Sequence, residues 1–146
     1  MQENIHHRWL CITPMMNALP LLYYWLFYKE KRNVLTFICV LIACLMISTM
    51  IFWYSPIQHG SMHTIDKMIV IITGFLTVGY MLFYKLFCKK IHRYIWFIYG
   101  IALASGTYFL YLSNYYSSIE WCSPDHLMSH FWFHLIAKPS IWFVFL

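Results

Sequence analysis

Long apolar runs separated by short polar punctuation divide this chain into five stretches. Each approaches the roughly 20 residues that a membrane-crossing helix needs. The first runs from about Leu10 to Tyr28, is interrupted by Pro14 and Pro20, and ends on Lys29-Glu30-Lys31-Arg32. Proline is tolerated in such a helix because neighbouring elements can satisfy the freed carbonyls. The run is too long and too broken for a signal peptide and is read as a helix. Val34 to Tyr54 is the cleanest run, with Pro56 in its last turn or at its exit. The third, Ile65 to Phe87, opens with Asp66, where free amides carry partial positive charge and favour a first-turn carboxylate. Tyr94 to Leu112 is the fourth; its Gly100, Ala102, Ala104, Ser105 and Gly106 are small enough to let another helix come close. The fifth runs from His126 to Leu146. The pattern predicts an all-α, polytopic membrane helical bundle forming one domain over residues 1–146.

Composition changes this picture only by strengthening it. With 62% hydrophobic, 21% aromatic and 10% charged residues, the chain departs from the soluble norm of about a quarter charged. Seven of the ten cations, Lys29, Lys31, Arg32, Lys85, Lys89, Lys90 and Arg93, follow the first and third runs. The positive-inside rule then places those loops in the cytoplasm, the N-terminus outside or in a lumen, and the C-terminus inside. The net charge of +5 is explained by that topology, so nucleic-acid binding is not expected.

The same topology gathers the polar candidates. Ser55 and His59 follow the second run, Asp66 opens the third, and His130 and His134 lie in the first turns of the fifth, all at the outer membrane face. Residues four apart share a helix face about 6 Å apart along the axis, so His130 and His134 can address one metal ion. With His59 they would supply three nitrogen ligands and leave a fourth position open, the pattern of a catalytic zinc (Zn2+) site. Asp66 would hold the metal-bound water and take its proton, and Ser55 would donate to a developing oxyanion if its helix continues through Pro56. His63 and His126 compete for the ligand places. Singly, each residue has a plainer reading: interfacial histidines cap carbonyls, Asp66 is a helix-start residue, and Ser55 is an ordinary interfacial hydroxyl. A b-type haem fits less well, because axial histidines face each other from separate helices and His130 and His134 share one. Cys11 and Cys122 both fall on the outer side, where a disulfide can form, and a bridge between them is expected.

Ser55-x-x-x-His59, Asp66-Lys67-Met68 and Ser129-His130-Phe-Trp-Phe-His134-Leu135 resemble the signature of the alkaline ceramidase and adiponectin/progestin receptor (CREST) superfamily. Asn17-Ala18-Leu19-Pro20 is similar to the start of ceramidase-type first helices. The resemblance implies His59, His130 and His134 as zinc ligands, Asp66 as the water-orienting base, Ser55 beside them, and a ceramide-like lipid amide as substrate. The family has seven helices where five are read here, and Glu3 stands alone where some ceramidases carry an acidic calcium-binding cluster. Two expectations follow. One is a zinc-dependent hydrolase of a lipid amide. The other is a non-catalytic membrane protein, receptor-like or an assembly factor, with a structural or vestigial metal site.

Overall fold

A computed structural model describes residues 9–28, 33–85 and 92–145, and these fold into helices and short turns with no strand among them. Lys29, Lys31, Arg32, Lys89 and Lys90, on which the expected orientation leans, lie outside the described residues, as do Glu3, His6 and His7.

The first run does not start as an α-helix. Its early part is wound as 3-10 turns, including Thr13–Asn17, and α-helix α1 covers only Ala18–Phe27. Pro14 sits in the first positions of that 3-10 segment, where a missing N–H costs no hydrogen bond. Helix α2, Asn33–Tyr54, matches its run because nothing within it breaks the ladder that a lipid-immersed backbone requires. It stops short of Pro56, whose ring disfavours helical backbone at Ser55.

Helix α3, Ser61–Gly79, begins four residues before Ile65, where its run was expected to open, and passes into a π-helical turn at Tyr80–Lys85. Helix α4 spans Arg93–Ile119, about two turns beyond Leu112. Helix α5, Pro124–Ser140, has proline at its first position, and Ser123 Oγ accepts from the His126 N–H at 3.3 Å as an N-cap. A 3-10 turn, Ile141–Val144, follows it.

The helices at Trp9–Phe27, Asn33–Tyr54, Ser61–Lys85 and Arg93–Ile119 are long and apolar enough to cross a membrane. Together with α5 they form the bundle of a multi-pass membrane protein. Its outside is apolar, with Phe75 77% exposed and Phe97 70% exposed, while Asp66, His134 and Lys138 are buried. Such an inversion suits a lipid solvent and would be prohibitive in water.

Helix α4 packs along α5, and α2 along α3, whereas α3 and α4 scarcely touch. Gly106 makes the first pairing close: a Cβ there would stand 3.9 Å from the Ala137 Cβ. Gly100, by contrast, has nothing within 4 Å. The 3-10 segment Thr13–Asn17 lies against both α2 and α5. Two buried clusters mark the ends of the bundle. One joins Tyr24, Leu35, Ile38, Met81, Tyr99 and Phe145 with their neighbours; the other joins Leu10, Phe52, Trp53 and Leu127.

Candidate functional site

The turn between α2 and α3 separates the residues expected to act together. Because α2 ends at Tyr54, Ser55 and His59 are not one helical turn apart; both are exposed, and His59 takes a φ of 60°. Histidine tolerates that left-handed conformation better than most side chains. The His59 N–H donates to His63 Nδ1 at 3.2 Å, and the two rings meet edge-on at 6.0 Å. His63 in turn stacks on Phe52 at 5.3 Å and lies 5.4 Å from Trp121.

Asp66 is not a first-turn residue, since α3 starts at Ser61. It is the sixth residue of the helix and faces α2, where Thr49 Oγ1 donates to its Oδ1 at 2.7 Å and Ser48 Oγ at 2.8 Å. Hydrogen bonds to a charged acceptor are worth about 1.5–3 kcal/mol each, enough to offset much of the burial of this carboxylate. Ser48, not Ser55, is therefore the serine that serves Asp66. One turn on from Ser48, where a Ser-x-x-x-His motif has its histidine, stands Phe52.

Helix α5 presents His126, His130, His134 and Lys138 at intervals of four, hence as one stripe. His126 Nδ1 accepts the Cys122 N–H at 3.1 Å, and its ring lies 4.8 Å from Trp121. His130 Nδ1 and Ser113 Oγ are hydrogen-bonded at 3.0 Å, with Trp53 packed 4.7 Å from the imidazole. His134 meets His130 edge-on at 4.6 Å, and its Nε2 is buried without a hydrogen-bond partner. Lys138 Nζ donates to Thr13 Oγ1 at 3.2 Å, and the Thr13 hydroxyl donates in turn to the Leu10 carbonyl at 2.8 Å. The sequence held a signal for Lys138, which continues the histidine spacing by one more step.

His130 and His134 thus come together, while His59 belongs to the exposed turn with His63. Among the described residues no three histidine, cysteine, aspartate or glutamate side chains are grouped to hold one metal ion. Cys122 carries a free thiol, so the expected bridge to Cys11 is not formed, although both side chains pack against the Leu10, Phe52, Trp53 and Leu127 cluster. Burial pushes the Cys122 thiol up to about 11.

Sequence reasoning also passed over a cavity of about 420 Å³ between the two end clusters. Val70, Ile71, Gly74, Phe75 and Val78 of α3 line one side, and Ala102, Leu103, Gly106, Thr107 and Leu110 of α4 the other. It reaches the outer surface there, since its lining residues Ile71 and Phe75 are exposed. Its walls are mostly apolar, but Asn17, Thr49, Thr73, His134 and Lys138 gather polar atoms on the inner side. Three of those side chains have buried polar atoms with no partner: both the oxygen and the nitrogen of Asn17, Thr73 Oγ1 and His134 Nε2. Each such group costs about 1–3 kcal/mol, and several around one cavity mark a place where something else completes the hydrogen bonding. No protein-family model matches the chain, and no curated protein or solved structure matches it either.

Proposed function

We propose that this chain is a non-catalytic integral membrane protein that binds a membrane lipid in the cavity between α3 and α4. The observation that carries this reading is the placement of unpartnered Asn17, Thr73 and His134 atoms around one mostly apolar cavity open toward the exposed faces of Ile71 and Phe75. An alkyl chain would lie along Phe75, Leu103 and Leu110, and a polar head would complete the hydrogen bonding of the inner side. Asn17 offers both a donor and an acceptor, which also suits the amide of a ceramide-like lipid. Phe52 one turn after Ser48, and His59 on the exposed turn, favour a binding site over a hydrolytic one.

The test is photo-crosslinking of the full chain in bilayers with a lipid carrying a photoactivatable group on a single acyl chain. Crosslinks are expected on α3 and α4 around Gly74, whose missing side chain leaves open space. Gly74→Phe should abolish them while changing stability by no more than about 0.5 kcal/mol. Crosslinks scattered over the outer faces and indifferent to Gly74→Phe would remove the reading.

A second reading, a zinc-dependent hydrolase of a lipid amide within the CREST superfamily, draws on the adjacent His130 and His134 with an unpartnered Nε2. It expects about one zinc per purified chain, lost in His130→Ala or His134→Ala. Wild-type protein without zinc would dismiss it and leave the binding site untouched.

A further inference from the structure

Lys138 belongs to no motif of the hydrolase resemblance, yet it is buried, 7% exposed, and lines the cavity. An ammonium has three N–H donors, and one of them goes to Thr13. The nearby opposite charge, Asp66, takes its hydrogen bonds from Ser48 and Thr49 on α2 and is not part of the cavity wall. Asp66 offsets part of the Lys138 charge, but of the two only Lys138 lines the cavity. The same cavity is lined by two further groups able to donate, the Asn17 amide nitrogen and the Thr73 hydroxyl, both buried and without a partner among the described residues. Asn17 Oδ1 and His134 Nε2 are unpartnered there as well, but the one cation of the wall, with the Asn17 and Thr73 donors, suits an oxygen-rich anion. The volume, about 420 Å³, is near the low end for small-molecule pockets and suits one alkyl chain better than two.

We propose that the cavity selects a single-chain lipid with an anionic head, a carboxylate or a phosphate, and that Lys138 is the residue that fixes this selectivity. The proposal rests on the lipid-binding reading above. Its oxygens accept from Lys138 Nζ, Asn17 Nδ2 and Thr73 Oγ1, and its chain leaves between α3 and α4.

Native mass spectrometry of the full chain, released from a neutral detergent, tests this with three probes of equal chain length: palmitate, palmitoyl lysophosphatidate and monopalmitoylglycerol. At least one anion should bind tenfold or more tightly than the neutral glyceride, and which anion does so names the head group. Lys138→Met should bring the anion and the glyceride within about twofold of each other, and Lys138→Arg should keep the preference. Equal binding of all three probes by wild-type protein overturns the anion selectivity while leaving a lipid site, and needs no variant to fold. An anion preference that persists in Lys138→Met removes Lys138 from the role. Binding of none of the three overturns this proposal; it reaches the lipid-binding reading as well only if the lipid crosslinks at Gly74 also fail.

Discussion

The tip of the bundle and its middle are built from similar residues and treat them in opposite ways. At the tip, Trp53, Trp121, His63, His126 and Phe52 fill space against one another, with Trp53 and Trp121 stacked at an interplanar angle of 8°. Its histidines are engaged there: His63 and His126 each accept a backbone N–H. Half a helix away, Asn17, Thr73 and His134 are as deeply buried and have atoms with no hydrogen-bond partner among the described residues. The tip leaves one such atom, Trp53 Nε1, among packed rings, whereas the middle gathers four, two on Asn17 and one each on Thr73 and His134, around one cavity. The contrast locates binding more sharply than residue type does, because histidines occur in both places.

Three substitutions press on that contrast. Trp53→Ala should have the largest effect, a loss of about 3 kcal/mol or more in unfolding free energy measured by denaturant titration in micelles, because a large side chain 1% exposed leaves a cavity behind. Lipid crosslinking at Gly74 should persist in whatever fraction remains folded; its loss from folded protein would break the division between tip and middle. Asp66→Ala should come next, at about 2–3 kcal/mol, since it strips the shared acceptor from Ser48 and Thr49 and the compensating charge from near Lys138. A neutral result would mean that the two hydroxyls find other partners. Asn17→Leu should be the smallest and of opposite sign, a gain of about 1 kcal/mol accompanied by weaker lipid binding. A clear loss of stability would show that Asn17 serves the fold.

The sequence made the spans legible because lipid imposes a single simple demand, an uninterrupted apolar helix, and α2 meets it residue for residue from Val34 to Tyr54. The ends were harder, since helix ends answer to local contacts. Pro56 reads equally as a last-turn or an exit residue, and only the exit reading separates Ser55 from His59. The start of α3 at Ser61 required Gly60 to take the extended N-cap conformation. Asp66 and its partners were illegible for another reason. Ser48 and Thr49 read as routine hydroxyls inside an apolar run, and only the rotation of α2 against α3 turns them onto the carboxylate. The stripe from His126 to Lys138 was fully present in the four-residue spacing, but a metal-based reading of the histidines has no place for a lysine. The cavity left no linear trace, because it arises where α3 and α4 scarcely touch.

That sparse contact has a mechanical consequence. The molecule divides into two helical jaws, α2 with α3 and α4 with α5, and the short 3-10 segment Thr13–Asn17, packed against both α2 and α5, is a strap across their back. Thr13 holds Lys138 from one jaw, while Asn17 faces the gap between them. Together with the two end clusters, which also join the jaws, those five residues set their spacing and with it the thickness of any molecule admitted from the bilayer.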